Sequence, residues 1–211
     1  MKDYKDEGNI MKTIPFNSKL NIKTADGHFD HVIWHLTRYK FARGFIKPTD
    51  SVLDIACGTG YGVRFLSDYC KSIVGADIDE KTLSEASKEY GGENREFKKM
   101  DIKSIEGQYD IVTCFETIEH ISYEDALLAL PSLKASLKKD GVLILSTPKK
   151  LSLNELSQNR LEGHLHEYSY KKFYETLSDY FIRPIIFTQS DEIISMGNKK
   201  ACWTFIGVCY G

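Results

Sequence analysis

The chain has 211 residues, of which 42% are hydrophobic and 12% aromatic, and its formal net charge at pH 7 is -2. This composition suits one domain with a substantial core, and the near-neutral charge gives no electrostatic reason to expect a nucleic-acid partner. No apolar run reaches the roughly 18 residues that a membrane span requires, and the five cysteines form no C-x-x-C pair, so we expect a reduced, cytoplasmic setting.

The first residues are charged and lack the apolar core of a signal peptide. They include Asp3-Tyr-Lys-Asp6, which resembles part of an epitope tag, so residues 1–10 are left out of the fold prediction. We expect residues 1–20 to be a flexible segment and residues 21–211 to form a single domain.

Residues 28–46 contain aromatic side chains at helical spacings, with His31, His35 and Arg38 on a neighbouring face. This pattern predicts an amphipathic helix that packs over the edge of a sheet.

The most informative segment is residues 52–62, in which a short apolar strand leads through a carboxylate into a glycine turn. Gly58 and Gly60 let the backbone turn sharply and approach a ligand before a helix begins near Tyr61. The G-x-G-x-G spacing differs from the G-x-G-x-x-G fingerprint of dinucleotide-binding proteins. Asp54 would repel a pyrophosphate but suits a ligand that carries an ammonium group. The segment therefore predicts a nucleotide-like cofactor with a positive charge.

Strands and helices alternate through the rest of the chain, as a parallel sheet with crossover helices requires. Asp79 is a predicted N-cap, Ser122 begins a further helix with an acidic capping box, and Asp140-Gly141 supplies the turn after it. Strands are predicted near residues 51–56, 72–77, 95–100, 109–115, 141–146, 185–189 and 201–209, and helices near 61–69, 80–90 and 122–138.

Four of these strand ends resemble, in order, the motifs of the class I S-adenosylmethionine-dependent methyltransferases. The glycine turn is similar to the first motif, and the strand that ends at Asp77 is similar to the second. Residues 97–102 are similar to the third motif, and residues 109–120 to the fourth. The resemblance implies an α/β fold, with a doubly wound Rossmann-like sheet of seven strands, six parallel and the last antiparallel, flanked by helices. It also implies S-adenosyl-L-methionine as the cofactor.

The same resemblance implies roles for individual residues. Asp54 and the glycines would hold the methionine end of the cofactor, Asp77 both ribose hydroxyls, and Asp101 the adenine amino group. An aspartate that caps the turn after it would look identical to Asp101. The N-terminal helix would cover the cofactor, with Tyr39 in contact. The expected cofactor-binding residues are Tyr39, Asp54, Ala56, Cys57, Gly58, Gly60, Asp77, Ile78, Met100, Asp101, Ile102, Phe115 and Glu116.

A connection of 22 residues, 147–168, follows the fifth strand, and loops of this length are usually functional. A short helix is expected at residues 153–158 within it. Ser169 is a predicted N-cap for a helix over residues 170–180, with the preceding tyrosine packed on Phe173 as a hydrophobic staple.

His164 and His166 lie just before this helix, and helix capping needs neither of them. Alternate side chains of an extended run point to one side, so both imidazoles are expected to face the acceptor. The His-x-His-Glu sequence is also compatible with zinc, but no further Cys or His has the spacing of a familiar site, and we expect no metal.

Transfer of an activated methyl group requires mainly that the nucleophile be held near attack distance with water excluded. A hydroxyl must also lose its proton, and histidine is the side chain best matched to accept it near neutral pH. His120, which follows the fourth strand beside Glu116 and Glu119, is the first candidate base, and His164 and His166 are the alternatives. A histidine that only satisfies loop backbone is the competing interpretation.

The acceptor is inferred from a finer resemblance. The run His35-Leu-Thr-Arg-Tyr-Lys-Phe-Ala42 and the later His-x-His-Glu-Tyr-Ser resemble small bacterial or viral methyltransferases of glycan and nucleotide-sugar modification. We therefore expect O-methylation of a sugar, glycan or nucleotide-sugar hydroxyl, with N-methylation of a small amine or amino sugar as the alternative. An RNA methyltransferase, a nicotinamide dehydrogenase and a non-catalytic cofactor-binding module are further alternatives.

Overall fold

The computed structural model describes residues 12–15, 21–24, 29–151, 163–197 and 200–211. The strands are β1 (Lys12–Pro15), β2 (Asn21–Thr24), β3 (Ser51–Ile55), β4 (Ser72–Asp77), β5 (Arg95–Lys99), β6 (Tyr109–Phe115), β7 (Leu137–Pro148), β8 (Ile185–Ser190), β9 (Ile193–Ser195) and β10 (Thr204–Tyr210). The helices are α1 (Phe29–Arg43), α2 (Tyr61–Leu66), α3 (Glu80–Tyr90), α4 (Tyr123–Ala135) and α5 (Tyr170–Ser178). In this described part of the chain, no helix combines the length and the apolarity that a bilayer span needs.

Strands β3 to β10 form one eight-stranded sheet in the order β5-β4-β3-β6-β7-β10-β8-β9. The first five strands in this order are parallel to one another, and β10 is antiparallel to both of its neighbours. The winding reverses between β3 and β6, which places a crevice beyond their carboxyl ends. The predicted fold class, a doubly wound Rossmann-like sheet, is confirmed. The sheet contains one strand more than the expected seven, because a short edge strand, β9, pairs with β8 in the antiparallel direction.

Buried apolar residues cover both faces of the sheet, because successive strand residues point to opposite sides. Val112 of β6 lies in a cluster with Leu130 of α4 and Phe173 of α5. Ile111, one residue earlier, lies in the cluster that contains residues of α1 and α2. Helices therefore enclose the sheet on both sides, and the residues of its central strands β3 and β6 are mostly buried on both faces.

Several local predictions are confirmed. Asp79 caps α3, Ser122 caps α4 and Ser169 caps α5, each by accepting a backbone N–H of the first helical turn. The Tyr168 and Phe173 ring centroids lie 5.8 Å apart, as the hydrophobic staple predicts.

Other parts of the fold differ from the prediction. β7 begins at Leu137, before the predicted strand, and its ladder with β6 is irregular near Tyr109. A Cβ on Gly141 would lie 2.9 Å from the carbonyl oxygen of Lys138, so glycine is required there. β1 and β2 form a separate two-stranded sheet, which the sequence did not predict because four-residue strands carry little periodic signal. The helix expected at residues 153–158 lies outside the described residues.

Candidate active site

The carboxyl end of β3 leads into the glycine turn at the crevice. Ala56, Gly58 and Gly60 have positive φ angles of 58°, 52° and 80°. A Cβ on Gly60 would lie 2.7 Å from the ring of Phe97, so packing requires this glycine. A Cβ on Gly58 would meet no described atom within 4 Å. Gly58 therefore faces open space, where its backbone is free to approach a ligand.

Asp54 lies in β3 and is 1% exposed. Its Oδ2 accepts a hydrogen bond from the Tyr39 hydroxyl at 3.1 Å, and its Oδ1 accepts one from the Thr113 hydroxyl at 2.5 Å. Burial raises the pKa of this carboxyl from 3.8 to about 7; the two hydrogen bonds oppose the rise, and the charge of Asp77 adds to it. A positively charged ligand would stabilise the ionised form of this buried carboxylate strongly, because the charge of the ligand compensates for the hydration that burial removes.

Asp77 ends β4 and is half-buried. Its Oδ2 accepts the Gly58 N–H at 2.9 Å, and its Oδ1 accepts the Asp79 N–H at 3.1 Å. The carboxylate thus joins the glycine turn to the start of α3. A carboxylate has about four lone-pair sites, so these two bonds leave capacity for ligand hydroxyls. The ribose contact of Asp77 stays a prediction.

The residues predicted to surround an adenine ring differ in exposure. Met100 and Ile102 are buried, whereas the side chain of Ile78 is 67% exposed. Asp101 is exposed, and its Oδ1 accepts the Lys103 N–H at 2.9 Å, so this aspartate caps the turn that follows. The cap uses one of the two carboxylate oxygens, and an adenine contact through the other oxygen stays a prediction.

Aromatic side chains pack around Tyr39 of α1, whose hydroxyl bonds Asp54. The Tyr39 ring packs edge-on against Tyr61 at 5.5 Å and Phe115 at 4.9 Å between centroids. Gly62 permits this approach, because a Cβ there would overlap the Tyr39 ring. Burial raises the pKa of the Tyr39 hydroxyl and of the Cys57 thiol, so both groups stay protonated at neutral pH.

β6 ends at Phe115, and Glu116 follows it with a positive φ of 49°. Ser146 of β7 holds this turn in place. The Ser146 hydroxyl donates to Glu116 Oε1 at 2.6 Å, and the Glu116 N–H lies 3.1 Å from the same hydroxyl oxygen. Both predicted cofactor residues of this strand therefore lie at the carboxyl end of β6, the strand next to β3.

Glu119 is fully buried just beyond the end of β6. Its Oε2 accepts a hydrogen bond from the Thr147 hydroxyl at 3.1 Å, whereas its Oε1 has no hydrogen-bond partner among the described residues. The Glu119 carbonyl accepts the N–H groups of Leu165 and His166, which fastens the segment before α5 to the end of β6. Burial, and then the charge of Glu116, raise the pKa of the Glu119 carboxyl well above its usual value.

The imidazole rings of His120 and His164 meet edge to face, with their centroids 4.9 Å apart. His120 Nδ1 lies 2.8 Å from the Gly163 carbonyl oxygen, and His164 Nδ1 lies 2.7 Å from Glu167 Oε1. A carbonyl and a carboxylate only accept hydrogen bonds, so each Nδ1 donates, and Nε2 of each neutral ring keeps a lone pair. His120 Nε2 lies 3.9 Å from Glu119 Oε1. The structure thus brings together two of the three predicted catalytic histidines.

His166 has different surroundings from His164. Its ring centroid lies 4.7 Å from that of Tyr123 and 4.6 Å from that of Tyr168. Burial, with the positive charge of two nearby lysines, lowers its pKa. The prediction that His164 and His166 point to the same side is wrong, because the chain bends at Leu165 and is not extended there. The two imidazoles therefore have different neighbours.

Arg38 is a further candidate, which the sequence placed only on a polar face of the first helix. Its side chain is 3% exposed; Nη1 donates to Gln189 Oε1 at 3.0 Å, and Nε has no partner within the described ranges. Burial raises the pKa values of both Tyr61 and Glu119, and the positive charge of Arg38 opposes the rise in each, so the guanidinium lies near both residues. A buried guanidinium is stable only with polar or negative partners, so this position suits an anionic group of a ligand. No local pattern reveals it, because Gln189 is 151 residues away in the sequence.

Comparison with known proteins gives a match to a family. A family model described as a methyltransferase domain matches residues 28–183. Over 104 residues the chain is 27% identical to a protein of Mycolicibacterium smegmatis named a probable S-adenosylmethionine-dependent methyltransferase. Over 106 residues it is 32% identical to a ubiquinone biosynthesis O-methyltransferase of Actinobacillus pleuropneumoniae. The alignments cover 49% and 46% of this chain but only 40% and 44% of the two relatives, so the chain spans less than half of their length.

A solved structure is similar in fold. The crystal structure of magnesium protoporphyrin IX methyltransferase from Synechocystis, with bound S-adenosylhomocysteine, superposes with a TM-score of 0.62 and 20% sequence identity. The superposition covers 86% of this chain and 82% of that chain.

Proposed function

Because this chain belongs to the methyltransferase-domain family and its cofactor is S-adenosyl-L-methionine, we propose that it methylates a hydroxyl oxygen of a small polar acceptor. The proposed acceptor class is a sugar, a glycan or a nucleotide sugar. The observation that carries the proposal is the pair of oriented imidazoles, His120 and His164, beside the cofactor crevice at the end of β6. The match to a methyltransferase family excludes the alternative of a nicotinamide dehydrogenase.

The side chains of the crevice fit the two charged groups at the methionine end of the cofactor. Asp54 supplies a buried carboxylate for the ammonium group of the cofactor. The unpartnered Nε of Arg38 supplies a hydrogen-bond donor for the carboxylate of the cofactor. Asp77 accepts the Gly58 N–H of the glycine turn, and we place the ribose beside this pair. The cofactor, when bound, supplies an electrophilic methyl group on a sulfonium. The aromatic wall around Tyr39 keeps water from this end of the crevice.

The fixed orientation of the His120 and His164 imidazoles suits the activation of a hydroxyl. A hydroxyl must lose its proton before or during attack, whereas an amine that binds uncharged does not. Each Nδ1 of the pair donates to a fixed acceptor, Gly163 or Glu167, so each Nε2 lone pair is held in one orientation. A carboxylate that orients an imidazole in this way is typical of activated acid–base sites. His166 contacts tyrosine rings, and we assign it to the support of the segment that carries His164.

The acceptor atom and the acceptor class are inferred from different observations. The name of the Actinobacillus relative, an O-methyltransferase, favours oxygen over nitrogen as the atom methylated. The sugar assignment depends on the resemblance of residues 35–42 and 164–169 to glycan-modifying methyltransferases. Neither relative described above, nor the Synechocystis enzyme, is named for a sugar substrate, so the test must include other acceptors.

The test is methyl transfer by the full chain from isotopically labelled cofactor to a panel of acceptors. The panel contains nucleotide sugars, free glycans, phenols, carboxylic acids, small amines and RNA, and mass spectrometry with fragmentation locates the labelled methyl. We expect the label on a hydroxyl oxygen. Label found only on nitrogen would replace the proposal with N-methylation. Tight binding of S-adenosylhomocysteine without transfer to any acceptor would indicate a non-catalytic binding module.

Variants then test the role of the histidines. His120→Gln and His164→Gln should each lower kcat by about 10²- to 10⁴-fold, the usual contribution of proton-transfer catalysis, with the affinity for S-adenosylhomocysteine unchanged. His166→Gln is the matched comparison and should lower kcat much less. An equal loss in all three variants would assign the histidines to the support of the segment alone.

A further inference from the structure

Glu119, His120 and His164 form a cluster beside the cofactor crevice, which we call the acceptor-side cluster. Each residue offers one atom that could coordinate a metal, and these three atoms lie within 4.8 Å of one another. Two imidazole nitrogens and one carboxylate oxygen are a donor set of catalytic zinc sites, which keep a further coordination position open. The cluster therefore has the composition of a metal site, assembled from residues whose sequence spacing gives no such signal.

Both histidines of the cluster are oriented in the way that metal-binding histidines are. His164 Nδ1 bonds Glu167 Oε1, and the other oxygen of Glu167 accepts the Leu151 N–H at 3.3 Å. His120 Nδ1 bonds the Gly163 carbonyl. A histidine that binds a metal almost always donates its other ring N–H to a carboxylate or a backbone carbonyl, which fixes the tautomer and directs the remaining lone pair. Each of the two histidines has one of these two partners.

The carboxylate of the cluster gives a second, independent observation. Glu119 is 0% exposed, and its Oε1 has no hydrogen-bond partner in the part of the chain that the structure describes. Its other oxygen is held by the Thr147 hydroxyl, so the carboxylate cannot turn away without losing that bond. A buried carboxyl oxygen without a partner is costly. Oε1 lies 3.9 Å from His120 Nε2, an atom that also carries a lone pair, so a cation between them satisfies both acceptors.

We propose that the acceptor-side cluster binds one Zn²⁺ or a similar divalent transition-metal ion through Glu119 Oε1 and the Nε2 atoms of His120 and His164. Imidazole ligands favour Zn²⁺ or Co²⁺ over Mg²⁺ and Ca²⁺, which prefer oxygen ligands. Ligand atoms about 2.1 Å from a tetrahedral ion lie roughly 3.4 Å from one another. The separation of 3.9 Å between Oε1 and Nε2 is therefore close to the bound geometry, and the His120 side chain, 50% exposed, has room to move.

This inference rests on the proposed function and gives the cluster a specific part in it. Three protein ligands leave a position for the acceptor hydroxyl, and coordination lowers the pKa of that hydroxyl, whose proton passes to water. The oxygen electron pair then forms the bond to the methyl carbon. The bond between methyl and sulfur breaks, and its electron pair stays on sulfur as a neutral thioether. With the ion bound, the two histidines activate the hydroxyl through the ion that they hold, which replaces the direct proton acceptance described for the metal-free pair.

The direct test is metal binding by the full chain, measured without any acceptor. Protein freed of metal by a chelator and titrated with Zn²⁺ in a calorimeter should bind one ion, and Co²⁺ should give visible absorption bands. Glu167→Gln should weaken Zn²⁺ binding by about 10- to 100-fold through its bond to His164, and Glu119→Gln and His164→Gln should weaken it further. His166→Gln is the matched control and should bind Zn²⁺ as the wild type does. Circular dichroism checks that each variant folds, and if Glu119→Gln does not, the half-exposed His120→Gln replaces it.

The outcomes separate this inference from the proposed function. One bound Zn²⁺ that is lost in the ligand variants and kept in the control supports the site. No saturable binding of Zn²⁺ or Co²⁺, or equal affinity in the wild type and the ligand variants, overturns it. Methyl transfer at full rate in excess chelator refutes the metal step and leaves the methyltransferase activity standing. A bound ion without transfer to any acceptor leaves the site standing and refutes the proposed function.

Discussion

Replacing Asp54 with asparagine should stabilise the ligand-free protein at pH 8 and remove most of its affinity for S-adenosylhomocysteine. The substitution keeps the shape of the side chain and removes its charge. Burial is the main reason that the pKa of Asp54 is about 7, against an ordinary value of 3.8. Above pH 7 the ligand-free protein therefore holds a desolvated carboxylate that is supported only by the Tyr39 and Thr113 hydroxyls.

The sign of the stability change follows from proton linkage. Between about pH 4 and pH 7, native Asp54 holds a proton that the unfolded chain has released, so the unfolding free energy falls as the pH rises through this window. The difference between 3.8 and about 7 corresponds to ~4 kcal/mol at pH 8. An asparagine must satisfy both hydroxyls with one acceptor and one donor group, which lowers the expected gain to about 2 kcal/mol. For a chain of this size, that gain raises Tm by roughly 4 to 8 °C.

The assay is urea unfolding of the wild type and Asp54→Asn between pH 5 and pH 9, without ligand, followed by calorimetry with S-adenosylhomocysteine at pH 8. The stability advantage of the variant should grow as the pH rises to about 7 and then level off, because native Asp54 is ionised above that pH. The affinity of the variant for S-adenosylhomocysteine should fall by at least about 30-fold, because a buried charge pair has lost one partner.

Asp110→Asn is a control of opposite sign. Burial alone would raise the pKa of Asp110, but hydrogen bonds from Lys138 and Ser51 lower it to about 2, so its loss should destabilise the protein at pH 8. The reasoning is refuted if Asp54→Asn is less stable than the wild type at pH 8, or if it binds S-adenosylhomocysteine normally.

Three further substitutions test other parts of the crevice. Arg38→Gln should weaken S-adenosylhomocysteine binding by about 10- to 100-fold in calorimetry, the contribution of a charge-assisted hydrogen bond. Decarboxylated S-adenosylmethionine, which lacks the carboxylate, should bind the variant and the wild type alike, and an equal loss for both ligands would contradict the assignment. Gly62→Ala should lower the unfolding free energy in urea by about 1 to 3 kcal/mol, because the added methyl overlaps the Tyr39 ring. Alanine in place of glycine usually stabilises a helix, so the overlap must outweigh that gain. A variant more stable than the wild type would disprove the packing of Tyr39 on Gly62. Tyr168→Phe should leave the unfolding free energy unchanged or raise it by up to about 1 kcal/mol, since the buried hydroxyl has no hydrogen-bond partner among the described residues, and a clear loss would reveal a partner.

The cofactor side of the crevice could be predicted because its residues follow apolar strands directly in the sequence. Asp54 and the glycine turn occupy one continuous segment, and Asp77 ends the next strand. The rule that parallel strands bind ligands beyond their carboxyl ends then brings the segments together without knowledge of any side-chain contact. The alternation of apolar and polar segments was also sufficient to predict the central strands, and the capping residues Asp79, Ser122 and Ser169 predicted the starts of three helices.

The acceptor side could not be predicted in the same way, because its contacts join segments that are far apart in the sequence. The bond from Thr147 to Glu119 spans 28 residues, and the contact of His120 with Gly163 spans 43. Nor does the sequence show that Glu119 is fully buried, since a glutamate after a strand is usually exposed. The two histidines of the His-x-His-Glu run were separated by a bend that no periodic pattern indicates.

β6 and the few residues after it contribute both to the surroundings of Asp54 and to the acceptor-side cluster. Thr113 bonds Asp54, and Glu119 and His120 begin the acceptor-side cluster, all within eight consecutive residues of the sequence. The spacing between Thr113, which bonds Asp54, and the acceptor-side cluster is consequently set by covalent geometry along one stretch of backbone. An exchange of the long loop after β7 should alter which molecules are accepted and leave that spacing intact. A single residue inserted between Glu116 and Glu119 should abolish transfer to every acceptor while the cofactor still binds.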